Sequence, residues 1–224
     1  PFELKLFATK GDIYYTTDGS IPSINSKKYS GPIRLTELNN ECYVIRAIAL
    51  FNSSYSNVET ATFFIGKDAA TKLSEKNIVS LAFENDDLFG DNGIGVTGLE
   101  YDNWVANGKK GDMPVPNYEK HGIENEIPVC FSYLSNRLSF SQNIGLRIAG
   151  ASTRSEANRF ILYARNDYSG SEYFSKNIFD GIKSHKLTIR PAITNGIIQS
   201  LFSDRDVAIQ SSKAVEVFLN GKFY

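Results

Sequence analysis

The feature that most constrains this sequence is the alternation of apolar and polar residues in short runs bounded by turn formers. Phe2–Ala8 alternates in this way, and a Lys10–Asp12 turn leads into a second short run, Ile13–Thr17. Successive side chains of a β-strand point to opposite faces, so a period of two predicts strands. Val, Ile, Thr, Tyr and Phe fill many of these runs, and such residues favour pleated, half-buried surfaces. The sequence therefore predicts a β-rich protein.

The first 66 residues have the spacing of a small antiparallel sandwich. Further strands are predicted at Pro32–Thr36, Tyr43–Phe51 and Glu59–Ile65. Between them, Asp18–Ser23 combines Asp, Gly, Ser and Pro, which are turn residues, and is predicted to be a loop. No helix is expected in this part.

The same residues resemble a known domain family. The motifs are G-D-I-Y-Y-T-T-D-G-S-I-P-S at 11–23, Ser26, Tyr29, G-P-I at 31–33 and I-R-A-I-A at 45–49. They are similar to the chitobiase/β-hexosaminidase C-terminal-type domain. The resemblance implies an immunoglobulin-like β-sandwich over residues 1–66, its first strand preceding Pro1, with a spacer or accessory role in secreted bacterial proteins.

Two interpretations of the Asp18 loop stay open. Tyr14, Tyr15 and Asp18 could form a sugar-binding surface, because aromatic rings and carboxylates suit carbohydrate. Alternatively, Asp18, Gly19 and Ser20 build the turn while one tyrosine packs inside, and the sequence favours this second interpretation. A glycan stays among the candidate partners.

Composition narrows the function classes. Lys and Arg number 24 against 25 Asp and Glu, so no overall field attracts nucleic acid. Two histidines and no paired cysteines offer no His/Cys metal site, and no apolar run in this chain is long enough to span a membrane. Cys42 and Cys130 lie far apart in apolar runs, which favours buried free thiols over a disulfide.

The remaining chain is predicted to start with a polar linker at 67–77. The acidic run Glu84–Asp91 does not have EF-hand spacing, and Asp86 is a predicted N-cap of a short turn. His121 is predicted to be a loop residue. Further predicted elements are strands at Ile78–Phe83 and Ile94–Leu99, an exposed loop at Asn107–Tyr118, a hairpin of Pro128–Leu134 and Arg137–Ser141, a strand at Leu187–Arg190, a helix at Ile197–Phe202 and an Asn220-Gly221 hairpin.

Candidate chemistry concentrates between Ile144 and Arg165. In the first run, Ile144, Leu146 and Ile148 share one face of the predicted strand, and Arg147 lies on the other face beside small residues. In the next alternating run, Arg159 and Arg165 share a face. Two adjacent strands would gather these arginines, with Arg154 over the turn, into a patch fit for phosphate oxygens. The alternative is ordinary ion pairing with Glu156, Asp167 and Glu172.

From residue 78 onward the chain resembles the CotH family of spore coat protein H kinases. The matching blocks are D-L-F-G-D-N-G-I-G-V at 87–96, I-P-V at 127–129, F-S-Q-N-I-G-L-R-I-A-G-A-S-T-R at 140–154, F-I-L-Y-A-R-N-D-Y at 160–168, L-T-I-R at 187–190 and V-F-L-N-G-K-F-Y at 217–224. The resemblance implies an α+β fold: the N-terminal portion, at 78–224, of a divergent protein-kinase-like domain that continues beyond Tyr224.

The resemblance also implies a site and a function. It implies ATP and Mg²⁺ as cofactors of the full-length protein, and a nucleotide site formed by Arg147, Ser152, Arg154, Arg159 and Arg165. Family members carry a Lys-Ser pair before the strand that ends in Tyr-Ala-Arg; this sequence has Asn158-Arg159 there. No catalytic or metal residue can be assigned, and the chain by itself is expected to be inactive.

The expected function is ATP-dependent phosphorylation of protein substrates at the cell surface or spore coat. The alternative is a non-catalytic extracellular adhesin or binding protein that retains the CotH fold. Expected partners are a protein substrate or a surface or coat protein, with no nucleic acid.

Overall fold

The structure, a computed structural model, describes residues 2–36, 42–66, 68–120, 122–150, 159–191 and 210–224. The chain divides into two compact units. The first comprises residues 1–84, 130–141 and 215–224, and the second comprises 85–129 and 142–214. Most regular structure is β, as predicted. None of the described helices has the length and apolar character needed to cross a membrane.

The N-terminal strands of the first unit follow the predicted pattern. Their bounds are β1 Phe2–Leu4, β2 Asp12–Thr16, β3 Lys27–Lys28, β4 Ile33–Leu35, β5 Cys42–Phe51, β6 Ser54–Tyr55 and β7 Glu59–Phe64. β1 pairs with β4, and the order β3-β2-β5-β6, with β7 also on β5, forms a second antiparallel sheet. β3 and β6 were not predicted, because two-residue strands leave no alternation to detect.

One tyrosine of the Asp18 loop region packs inside. Tyr15 is 5% exposed and belongs to a core cluster with Leu35 and Ile45, whereas Tyr14 is only partly buried. The Asp18 carboxylate accepts hydrogen bonds from the backbone N–H and the hydroxyl of Ser20, at 3.1 and 2.6 Å. The hydroxyl bond lowers the pKa of Asp18, against the opposing effect of partial burial. Asp18 and Ser20 therefore build the turn.

The first unit also contains helix α1 Ala69–Glu75 and strands β8 Asn77–Ala82, β9 Ile127–Leu134, β13 Val215–Leu219 and β14 Lys222–Phe223; β9 extends into the second unit. Their order is β9-β8-β13-β14. β13 runs parallel to β8, with Val215 opposite Asn77 and Leu219 opposite Leu81. The predicted hairpin turn at Asn220-Gly221 is present, and both residues have positive φ, 48° and 80°.

The segment predicted as a polar linker is the helix α1. Leu73 on this helix packs against a buried cluster of Cys42, Ile78 and Phe218. This helix has seven residues, which is too few for the helical period of apolar residues to be detected in the sequence. The sandwich and β8 lie in one compact unit, and the predicted domain boundary at residue 66 stays a prediction.

Polar groups at the end of β8 join the sandwich loop to this strand. Arg46 is 8% exposed and donates to the carbonyl of Gly19 at 2.8 Å and to Glu84 at 3.3 Å. Glu84 also accepts from the backbone N–H of Ile21. The Asn220 amide group bonds both the N–H and the C=O of Phe83, each at 3.0 Å. The buried Arg46 guanidinium thus has hydrogen-bond acceptors that offset its loss of water, and these contacts stabilise the unit.

The second unit contains α2 Asn85–Phe89, α3 Leu99–Ala106, two 3₁₀ turns at Asn117–Glu119 and Ile123–Asn125, β10 Ser139–Ile148, β11 Phe160–Tyr163, α4 Asn166–Ser169 and β12 Lys186–Ile189. β10 begins in the first unit, where it forms the predicted hairpin with β9. The predicted strand at Leu187–Arg190 corresponds to β12. The predicted helix at Ile197–Phe202 and His121 lie outside the described residues.

The strand predicted at Ile94–Leu99 is wrong, since residues 94–98 are turns and irregular backbone and Leu99 begins α3. Gly95 donates to the carbonyl of Leu88 at 2.9 Å, and a Cβ on Gly93 would lie 2.6 Å from that same carbonyl. Glycine permits this close approach and the chain folds back on α2 instead of extending. The N-cap predicted at Asp86 is also wrong, because Asp86 lies inside the first turn of α2.

β10, β11 and β12 place alternate residues on two faces. The pairs Gly145–Tyr163, Arg147–Ile161 and Ile148–Phe160 align β10 with β11. Leu146, Phe160 and Leu162 are at most 1% exposed, whereas Arg147 and Tyr163 are partly exposed on the other face. The predicted division of faces is thus present.

Candidate functional site

The candidate site is centred on a buried carboxylate between two arginines. The Glu126 side chain has no exposed surface. It accepts from Arg147 Nε at 2.8 Å, and from Arg165 Nε and Nη2 at 2.7 and 2.9 Å. The Arg165 contact is a bidentate guanidinium–carboxylate pair, a strong and directional arrangement. Three charge-assisted hydrogen bonds therefore fix both arginines to one acidic residue.

Local backbone geometry makes room for this carboxylate. Glu126 immediately precedes β9, and Gly145 lies on β10. A Cβ on Gly145 would lie 2.0 Å from the Oε1 of Glu126 and 2.4 Å from its Cδ. Because the three guanidinium bonds hold the carboxylate in place, it cannot rotate away without losing them. A glycine is therefore required opposite Tyr163 in this register.

The electrostatics of the site follow from burial and the two cations. Burial alone would raise the pKa of Glu126, but the hydrogen bonds and charges of Arg165 and then Arg147 outweigh it and hold the pKa below its ordinary value. Burial, followed by the nearby Glu126 charge, raises the pKa of Tyr168 to about 12. Glu126 is thus an anion and Tyr168 a protonated phenol at neutral pH.

The aromatic ring of Tyr163 supports both arginines. The guanidinium carbon of Arg147 lies 5.0 Å from the ring centroid and that of Arg165 lies 4.6 Å from it. Cation–π contacts of this kind contribute about 0.5–1 kcal/mol at partly exposed sites. The ring and Glu126 together restrict the rotamers of the two side chains.

An open cleft of about 170 Å³ lies beside Arg147. Its lining residues are Ile94, Asn117, Tyr118, Lys120, Gly122, Asn125, Arg147, Ile148, Ile161 and Tyr163. Two guanidinium groups and one carboxylate leave one net positive charge, and the Lys120 ammonium group, which donates to the Asn117 side-chain oxygen at 2.8 Å, also lines the cleft. Only the Nε of Arg147 bonds Glu126, and within the described part of the chain its terminal nitrogens have no hydrogen-bond partner. The cleft therefore presents pre-oriented donors and positive charge, which suits an anion.

Arg159 lies further along the same face. The Ala149 N–H donates to the Arg159 carbonyl at 2.8 Å, so Arg159 lies opposite Ala149, two pairs beyond the Arg147–Ile161 pair and on the same face as Arg147. Its Nε is buried, and among the described residues it has no hydrogen-bond partner. A buried donor without a partner costs about 1–3 kcal/mol, so an acceptor supplied by a ligand would be stabilising.

Three of the five predicted site residues are described, and all three share one face. They are Arg147, Arg159 and Arg165. Ser152 and Arg154 lie outside the described residues. Nucleotide binding by all five stays a prediction.

The ion-pair partners proposed from sequence were wrong for the residues described. Arg147 and Arg165 pair with Glu126 and not with Asp167 or Glu172. Glu126 was missed because it lies 21 and 39 residues before its partners. The available signal was its position directly before the apolar strand β9.

No metal centre is evident within the described ranges, since no group of three or more His, Cys, Asp or Glu side chains there could hold an ion. Both oxygens of Glu126 are engaged by arginines, so this carboxylate does not fit a magnesium ligand. Cys42 and Cys130 are buried and free, as predicted.

Comparison with known proteins bears on the N-terminal strands. Residues 2–63 match the model of the Fn3-associated family. This match is in keeping with the observed sheets and indicates an immunoglobulin- or fibronectin-like associated domain. No curated protein and no solved structure matches the chain significantly.

Proposed function

We propose that residues 78–224 are the N-terminal part of a CotH-type, kinase-like domain, and that the cleft beside Arg147 binds the phosphates of ATP. The observation that carries this proposal is the Arg147 guanidinium. Glu126 and Tyr163 hold it in place, while its terminal nitrogens remain available beside the cleft. Arginine donors in fixed geometry match phosphate oxygens.

The size of the cleft limits what it can hold. Sites for whole small molecules measure about 300–1,000 Å³. A cleft of about 170 Å³ is therefore large enough for phosphate groups but not for a nucleoside as well. In this proposal the described residues hold the phosphate chain through Arg147, Lys120 and Arg159. They supply neither the magnesium ligands nor the catalytic base.

The N-terminal sandwich has an accessory role in this proposal. Its finer assignment is the chitobiase/β-hexosaminidase C-terminal type, which is supported by the turn built from Asp18 and Ser20. The proposed setting is extracellular, at a cell surface or spore coat, with a protein as the substrate.

Calorimetry with ATP and with inorganic triphosphate tests the proposal. Arg147→Met should weaken the binding of both ligands at least tenfold, because it removes the oriented donors while Arg165 still neutralises Glu126. Arg137→Met, at an exposed hairpin position, is the matched control and should bind like the wild type. Absence of binding at millimolar concentrations of both ligands would refute the proposal.

A second candidate function is a non-catalytic surface binding protein. The observation favouring it is that Glu126 already engages both Arg147 and Arg165, so these arginines also serve as structural ion pairs. Under this alternative, Arg147→Met lowers the free energy of unfolding and does not change the affinity for nucleotide. Measurement of γ-phosphate transfer to a protein acceptor by the full-length protein separates the two candidates.

A further inference from the structure

Strand β12 and the residue after it place two cations, Lys186 and Arg190, on the face that also bears Arg159. The pairs Tyr163–Lys186 and Ile161–Thr188 place Lys186 and Thr188 on this face, and Arg190 follows at the next alternate position. All three are exposed. Among the described residues, neither Lys186 nor Arg190 forms an ion pair.

The backbone of β12 also has a free edge. The Ala164 N–H donates to the His185 carbonyl at 3.0 Å, so residues 164 and 185 form a hydrogen-bonded pair. Such pairs alternate with non-hydrogen-bonded pairs in an antiparallel ladder. The N–H and C=O groups of Lys186 and Thr188 therefore point away from β11, and no strand in the described part of the chain pairs with that edge.

We propose that an extended acidic peptide segment binds along this edge as an additional strand. Its backbone would bond the outward N–H and C=O groups of Lys186 and Thr188, the usual mode of strand addition. Residues two apart in a strand are separated by about 6.6–6.8 Å. Glutamates opposite Lys186 and Arg190 are thus four positions apart, and the residue between them faces Thr188.

The middle position suits serine or threonine, because cross-strand hydroxyl pairs are favourable. The recognised pattern is therefore Glu-x-Ser-x-Glu in extended conformation. Nucleic acid fits less well, since it provides phosphates for the cations but no partner for the strand edge. Binding here is independent of nucleotide at the Arg147 cleft, so each proposal can fail separately.

Peptides of identical composition test this inference. Fluorescence anisotropy is measured on the chain with Thr-Glu-Val-Ser-Val-Glu-Thr and with the isomer Thr-Val-Glu-Ser-Glu-Val-Thr, each labelled at the N-terminus. The first should bind at least tenfold more tightly, because in the isomer both glutamates face away from the cations in the same register. Equal affinity of the two peptides would overturn the inference.

Protein variants locate the site. Lys186→Gln combined with Arg190→Gln should weaken binding of the first peptide at least tenfold. Lys176→Gln, an exposed lysine elsewhere in the same unit, should leave its affinity unchanged. Unchanged affinity in the double variant, with a far-ultraviolet circular dichroism spectrum like that of the wild type, would exclude this edge as the site.

A modified peptide tests the backbone contacts without altering the protein. This test can therefore be carried out even if the double variant fails to fold. N-methylation of the peptide amides that face β12 should abolish binding, whereas N-methylation of the intervening amides should preserve it. If an oligothymidylate of similar charge binds as tightly as the first peptide, strand addition is refuted.

Discussion

Replacing Glu126 with Gln removes the charge that Arg147 and Arg165 share while preserving side-chain volume. The carboxylate accepts three guanidinium hydrogen bonds at 2.7–2.9 Å. Loss of one partner of a buried ion pair costs about 3–5 kcal/mol. The arginine side chains are 24% and 30% exposed, so water compensates for part of this loss. We therefore expect Glu126→Gln to lower the free energy of unfolding by about 2–3 kcal/mol at neutral pH.

The pH dependence of this difference gives a second readout. The folded-state pKa of Glu126 lies below the ordinary value of 4.5. A depressed carboxyl pKa contributes stability that is fully present above the unfolded-state pKa and is lost as the pH falls through the folded-state pKa. The difference in stability between the wild type and Glu126→Gln should accordingly be constant above about pH 5.5 and shrink in more acidic solution.

Urea unfolding followed by circular dichroism, at neutral pH and at several acidic values, measures both effects. Glu124→Gln is the matched control, since Glu124 is exposed and two residues away. The control should unfold like the wild type at every pH. If Glu126→Gln and Glu124→Gln are equally stable at neutral pH, or if the difference persists unchanged in acid, the ion-pair interpretation is wrong.

Three further predictions concern clearance, thiol burial and a polar bridge. Gly145→Ala should destabilise the protein by about 1–3 kcal/mol in urea unfolding, because its methyl group displaces Glu126, whereas Gly31→Ala, at a position with open space, should have little effect. Cys42, whose burial raises its pKa to about 12, should not react with a thiol reagent at neutral pH until the protein unfolds; rapid labelling of the native protein would contradict this. Asn220→Ala should cost about 2–4 kcal/mol, through two lost backbone hydrogen bonds and the strain of alanine at a φ of 48°. Asn220→Gly relieves that strain and should be less destabilising in the same assay, and the opposite order would refute this account.

Sequence patterns were sufficient for the longer strands. β2, β5 and β11 follow the predicted runs closely, because β-branched and aromatic residues fill β2 and β5, and the two faces alternate along β11. The Asn-Gly pair is a local turn signal and predicted the turn at Asn220-Gly221. The pattern was misleading at residues 94–99, whose apolar residues predicted a strand. The backbone turns there, because glycines allow the chain to fold back on Leu88.

The candidate site was only half predictable. The alternating patterns placed Arg147, Arg159 and Arg165 on one face, and this required no knowledge of distant contacts. Glu126 could not be found in the same way, because its partners are far away in the sequence and the pairing depends on which strands become neighbours. The Glu126 carboxylate holds the guanidinium groups of Arg147 and Arg165 in place, and it fits in the structure because Gly145 has no side chain.

By itself, the sequence determined the β-rich character of the protein, the facing of its strands and the burial of both cysteines, since these depend on local periodicity and hydrophobicity. Only the tertiary structure decided that β13 lies parallel to β8, that α1 packs on the core and that Glu126 joins two arginines. Each of these depends on contacts between residues distant in sequence. Long-range packing sets those contacts, and no local pattern records them.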